Sequence, residues 1–113
     1  MKRTEVGGYC LSFPGVQEYA PFKRGDTVIY RHWANKKWFA LTFSLKGREG
    51  LNIKLSPMEN DFFRLQYGGI EPGWHMNKTH WSTVWLDSDV GKDEIERLIG
   101  MSYSLTKPKS LQL

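Results

Sequence analysis

The sequence predicts an α+β domain of two layers, in the order α-β-β-β-α-β-β-α, with a twisted antiparallel sheet covered by helices on one face. Three observations predict it. Large apolar residues alternate along Phe39–Leu45 and again at Leu51, Ile53 and Leu55; Ser56-Pro57-Met58-Glu59 opens a helix; and Ile95, Leu98, Ile99 and Ser102 recur at helical spacing near the end. At 113 residues there is length for one hydrophobic core. Residues 1–106 are expected to form that domain and 107–113 a flexible tail.

The first helix is expected over Thr4–Ser12, where Val6, Tyr9, Cys10 and Leu11 recur at helical spacing although Gly7 and Gly8 weaken it. Phe13-Pro14-Gly15 ends it, and the stretch to Asp26 reads as a connector fixed by Pro14 and Pro21. Thr27–Trp33 is rich in β-branched and aromatic residues, and Ala34-Asn35-Lys36 has the chemistry of a reversing turn. On the returning strand Phe39, Leu41, Phe43 and Leu45 are expected on one buried face, opposite Trp38, Ala40, Thr42 and Ser44. Lys46–Gly50 turns into a third strand through Leu55.

At Ser56 the cap, the proline at the first helical position and Glu59 make a capping box. Met58, Phe62 and Leu65 lie on one stripe of that helix, and Gly68-Gly69 stops it. A short extended piece is expected after Pro72-Gly73 through His75, then a turn at Asn77–Thr79 and a strand from Trp81 to Leu86. Asp87, Ser88 and Asp89 are the candidate caps of the last helix.

Cys10 is the only cysteine, which excludes an intramolecular disulfide and a multi-cysteine zinc site, fits a reducing cytosol and suits a small buried hydrophobe. With no apolar run of signal-peptide or membrane-span length, a cytoplasmic location and no membrane partner are expected. The net charge is +4 and unevenly spread: between Lys23 and Lys54 eight basic residues stand against Asp26 and Glu49, so the remainder is acidic on balance. In the expected topology the turns at Asn35-Lys36 and Asn77–Thr79 fall at the same end of the sheet, side by side.

The segments Tyr9-Cys10-Leu11-Ser12-Phe13-Pro14-Gly15-Val16, Lys37-Trp38-Phe39-Ala40-Leu41, Leu51-Asn52-Ile53-Lys54 and, most specifically, Pro72-Gly73-Trp74-His75-Met76-Asn77-Lys78-Thr79-His80-Trp81 together carry a resemblance that spans nearly the whole chain. By them the chain resembles the MmcQ/YjbR family of small bacterial proteins. The pair Ser102-Tyr103 also sits where the family's closing helix has one. The sequence departs from the family at Gly7-Gly8 and at Tyr19-Ala20-Pro21-Phe22-Lys23, which alters loop detail. The resemblance implies a secretion-chaperone-like two-layer topology and a double-wing DNA-binding architecture, whose wings match the paired turns.

DNA binding is the leading expectation, with Arg31, Lys36, Lys37 and Lys78 as phosphate contacts and a solvated, aggregation-guarding surface as the plainer account of the same charges. The five tryptophans cannot all be central core in so small a domain, so a homodimer or another protein partner is the alternative. A third reading is an enzyme or ligand-binding site at His75, Asn77 and His80. No nucleophile accompanies them at a recognisable spacing and no Gly-rich phosphate loop is present, so no catalytic residue and no cofactor is assigned. His75 and His80 are instead expected to hydrogen-bond backbone in a tight loop while Trp81 packs inside. The separation of these two histidines, with His32 as a third, matches no common metal pattern, and no metal is assigned.

Overall fold

The chain runs α1 (Arg3–Leu11), β1 (Val16–Tyr19), β2 (Val28–His32), β3 (Trp38–Leu45), β4 (Arg48–Lys54), α2 (Pro57–Gln66), β5 (Ile70–Pro72), β6 (Trp81–Trp85), α3 (Lys92–Thr106). This computed structural model describes residues 1–23 and 25–109; Arg24 and most of the expected tail, 110–113, lie outside the described residues. The strands form one antiparallel sheet in the order β1-β2-β3-β4-β6-β5. No helix among the described residues is long and apolar enough to cross a membrane.

All three helices pack on one face. Val6 and Cys10 of α1, Phe63 of α2, and Ile95, Leu98, Ile99 and Tyr103 of α3 meet Tyr30, Ala40, Leu51, Ile53 and Val84 of the sheet. Burial among these groups pushes the Cys10 thiol up to about 12, as suits a packed hydrophobe. Removing such side chains from water is the main favourable term of folding.

The sheet differs from expectation at its edges. Val16–Tyr19, read as connector, is an edge strand paired with β2 from Val16↔His32 to Tyr19↔Ile29. Four residues are too few for a periodic signal, and β2 supplies the partner. The extended piece expected after Pro72-Gly73 is instead Ile70–Pro72, and Gly73 N still donates to the Trp81 carbonyl before the loop begins. The last helix starts at Lys92 on Gly91, since its three candidate caps are engaged elsewhere. Asp87 pairs with Arg48 at 3.0 Å, Ser88 Oγ donates to the Trp85 carbonyl, and Asp89 accepts from the Gly68 and Gly69 amides.

Two apolar patterns point opposite to expectation. Tyr30 pairs with Ala40 but Arg31 with Trp38, so Phe39 is the extra residue of a β-bulge. The bulge turns Phe39 to the helix side with Ala40 and Thr42, where it meets Tyr103 edge-on at 5.3 Å. Leu41 and Phe43 consequently share the opposite, helix-free face, where Leu41 is paired with Ile29 and Asn52. On α2 the stripe Met58, Phe62 and Leu65 faces solvent, 83%, 57% and 90% exposed. The helix buries Phe63 and Asn60 instead, because Asn60 donates to the Leu55 and Thr79 carbonyls and accepts from Ser82, anchoring that side to the sheet.

At the bulge the β3–β4 ladder stops at Ala40↔Ile53. The next rung is replaced by the buried Ser102 hydroxyl, which accepts from the Lys54 amide at 2.9 Å and donates to the Phe39 carbonyl at 2.6 Å. Ser102→Ala leaves both backbone groups without this partner, so a loss of about 1–3 kcal/mol is expected. Urea unfolding checks it: the midpoint falls with the slope unchanged, whereas a wild-type midpoint would contradict the bridge.

Candidate nucleic-acid interface

Register carries the hairpin tip 33–37 and the loop 73–80 to the same end of the sheet. Trp38 begins β3 there, Lys54 ends β4 there, and Lys54 pairs with Trp81 at the start of β6. The expected juxtaposition is present, with the end of β4 between the two loops.

The tip is held from both sides. Trp33 N donates to the Gly15 carbonyl at 2.8 Å, Asn35 Nδ2 to the Thr106 carbonyl at 3.0 Å, and Asn35 Oδ1 accepts from Lys37 N. Lys36 takes a positive φ of 60° and lays its ammonium 3.4 Å from the centre of the Trp33 ring, which is 60% exposed. Below the tip, His32 is buried and shares a 2.8 Å hydrogen bond with Thr106. Burial lowers its affinity for a proton; a hydrogen bond donated by the imidazole to the Tyr103 backbone opposes this, and the Lys107 and Lys37 ammonium groups reinforce it. Those two cations therefore flank one imidazole, which puts the end of α3 beside the tip.

The second loop is pinned by polar side chains from neighbouring elements. A Cβ on Gly73 would come within 2.9 Å of the Trp81 carbonyl oxygen, so only glycine lets the loop start so close to β6. Trp74 N donates to Thr83 Oγ1, Asn52 Nδ2 to the Trp74 carbonyl, and Lys78 Nζ to the Gly73 carbonyl at 2.9 Å. Asn77 closes the turn by accepting from Thr79 N at its side chain and from Trp81 N at its carbonyl. From below, Arg64 of α2 donates to the Lys78 and Trp81 carbonyls at 2.6 and 2.7 Å and to Ser82 Oγ. Burial lowers the Arg64 pKa and Asp61 raises it; no carboxylate binds its guanidinium among the described residues, so its positive charge stays at this end.

Of the four cations expected to touch phosphate, Lys36, Lys37 and Lys78 are at the loop end and exposed. Arg31 is not in the tip. Its Nε donates to Gln17 at 2.9 Å and its guanidinium lies 3.7 Å over the Tyr19 ring, on the helix-free face. Among the described residues none of the four is paired with a carboxylate; the ion pairs there are Arg3–Asp26, Arg48–Asp87 and Arg97–Glu94. Lys54, Arg64 and Lys107 join the same end and were missed, because their placement depends on β4 register, the anchoring side of α2 and the length of α3.

The remaining motif residues are largely architectural. Trp81 is buried and Met76 half-buried. His75 and His80 are exposed, and among the described residues neither imidazole is hydrogen-bonded to backbone, contrary to expectation; His75 meets the Trp74 ring at 6.2 Å between ring centres. No group of three or more His, Cys, Asp or Glu side chains converges in metal-holding geometry among the described residues. A groove of about 440 Å³ beside Trp74 is lined by Glu71, Pro72, His75 and Lys78. A larger one, about 550 Å³, lies between α1 and the sheet, where Glu18, Asp26 and Glu49 oppose an anion and Arg3 is tied to Asp26.

A two-layer α+β domain with one basic loop end is thus the class of protein this is, and comparison with known sequences and structures places it further. The YjbR family model matches residues 11–105, and the chain belongs to that family. It is 39% identical to the uncharacterised protein YyaQ of Bacillus subtilis over 101 residues, 80% of this chain and 84% of YyaQ. It is 29% identical to the uncharacterised protein YjbR of Escherichia coli K12 over 103 residues, 91% of this chain and 85% of that protein. A crystal structure of a Pseudomonas syringae protein, 30% identical, superposes with a TM-score of 0.85 over 95% of this chain and 100% of that one. A Deinococcus radiodurans protein with the DUF419 domain, 28% identical, gives 0.83 over 95% of this chain and 79% of its own.

Proposed function

We propose that the chain binds duplex DNA by its loop end, Lys36 and Lys37 from one tip and Lys78 from the other contacting phosphates. The observation that supports this is the gathering of Lys36, Lys37 and Lys78 from two loops at one end, none of the three paired with a carboxylate among the described residues. Two of the three keep neutral company instead: an indole for Lys36 and a carbonyl for Lys78. Such partners hold a side chain in place and leave its charge to act on an anion. Two protruding turns also suit the grooves of a duplex, which a whole domain cannot enter. Few side chains with paired donors and acceptors stand at the tips, so contact is to backbone and sequence discrimination is low.

A labelled duplex titrated at two salt concentrations tests this. With three phosphate contacts, affinity falls roughly 40-fold from about 50 to about 200 mM salt, and the double variant Lys36→Glu, Lys37→Glu binds more weakly with a salt slope lower by about 1.8. Absent or salt-insensitive binding would contradict the reading.

A different observation supports self-association as a second reading. Met58 and Leu65 sit one turn either side of Phe62, so an antiparallel copy of α2 sets each Met58 against a Leu65 and the two Phe62 rings together. Asp61 is the only charged residue among the exposed positions of this helix. The patch is of the order of a few hundred Å² per copy, so the dimer is weak. Light scattering should show mass rising with concentration and Phe62→Glu holding the monomer; a monomer at every concentration would refute it.

A further inference from the structure

The helix-free face of the sheet carries its own chemistry. By register, its residues are Gln17 and Tyr19 on β1, Ile29 and Arg31 on β2, and Trp38, Leu41, Phe43 and Leu45 on β3. Arg48, Asn52 and Lys54 continue it on β4, then Trp81, Thr83 and Trp85 on β6 and Glu71 on β5. The loop 73–80 lays Trp74 over the same side, 6.4 Å from Trp85 between ring centres and bonded through its backbone to Asn52 and Thr83. Aromatic rings thus share this face with Arg31, Arg48 and Lys54. Arg48 is neutralised by Asp87, and the one strand carboxylate, Glu71, accepts from Trp85 Nε1.

At the loop end a row crosses four neighbouring strands: Arg31 pairs with Trp38, and Lys54, diagonal to Trp38, pairs with Trp81. Adjacent strands stand about 4.8 Å apart, so the row is roughly 14 Å long. Trp81 is buried, but Arg31, Trp38 and Lys54 are half-buried and Trp74, laid over the neighbouring Asn52 and Thr83, is 41% exposed, so two cations and two rings lie within reach of solvent. The polar pair in the middle is spent internally, Thr83 donating to Asn52.

We propose that this face binds single-stranded nucleic acid, unpaired bases stacking on Trp38 and Trp74 while Arg31 and Lys54 take the phosphates between them. The inference rests on the nucleic-acid reading above and names a second form of the polymer on the adjoining sheet face, which meets the loop end at Lys54 and Trp74. Unpaired bases offer free π-faces and a backbone that can follow a twisted sheet, whereas a paired duplex buries its bases and fits no flat face. With the central amide and hydroxyl already satisfied, no edge of a base is read, so binding is tolerant of sequence.

The test titrates a labelled oligothymidylate and a blunt duplex against wild type, Trp38→Ala, Trp74→Ala and Trp38→Phe, with thermal melts alongside. Each alanine variant should lose at least about fivefold on the oligothymidylate, Trp38→Phe should retain most of it, and the duplex affinity of the two Trp38 variants should stay within about twofold. The pair Arg31→Gln, Lys54→Gln removes no ring and should lower the single-strand salt slope by about 1.4, which serves if an alanine variant does not fold. Oligothymidylate binding indifferent to both sets overturns the inference, as does duplex binding without single-strand binding. Binding of neither polymer removes the nucleic-acid reading and this inference together. Self-association that Trp38→Ala abolishes makes the face a contact between copies and also overturns it.

Discussion

The Ser102 hydroxyl is the contact on which the arrangement turns. It stands where β3 and β4 would otherwise exchange a hydrogen bond, and it binds the carbonyl of one and the amide of the other. The bulge at Phe39 and this inserted hydroxyl require each other. The extra residue breaks the ladder, and a buried carbonyl and amide cannot be left unpaired without a cost comparable to a lost hydrogen bond. Around the same point Tyr103 stacks on Phe13 at 4.6 Å and donates to the Pro14 carbonyl at 2.6 Å, while Thr106 holds His32 and Asn35. One end of α3 thereby sets the bulge, the mouth of the hairpin and the exit of α1.

The cations of the loop end accordingly stand on restrained backbone. The tip is tied to Gly15 and Thr106, and the second loop to Asn52, Asn60, Arg64 and Thr83. Restraint matters for a charged site because ordering a loop on binding subtracts from affinity. Phosphate contacts made from such loops cost mainly the rotamer freedom of the lysines themselves. The His-Met-Asn-Lys-x-His-Trp segment owes its composition largely to this scaffold: Gly73 for close approach, Asn77 for the turn, Trp81 for burial, with Lys78 turned toward Gly73.

Much of this was legible in the sequence. Ser56, Pro57 and Glu59 opened α2 as expected, because capping is a local interaction that needs no tertiary information. Ile95, Leu98, Ile99 and Ser102 lie buried as their spacing required, and the meander of β2, β3 and β4 fixes which turns share an end. The errors share a cause. Phe39 misled because a single bulged residue reverses the side of every apolar residue beyond it, and no local signal marks the bulge. The α2 stripe misled because apolar spacing locates a face without saying what covers it, and the polar anchors Asn60 and Arg64 outcompeted it. Val16–Tyr19 and Lys54 took their roles from neighbours distant in sequence.

The central claim is that an anionic polymer meets this protein at the end shared by the 33–37 and 73–80 turns. Amide chemical-shift mapping during a titration with duplex DNA tests it residue by residue. The shifts should concentrate at Trp33–Lys37, Lys54 and Gly73–His80, and leave Arg3, the Lys46-Gly47 turn and Asp87 unmoved. Shifts centred on that opposite end, or none at saturating duplex, would contradict the account.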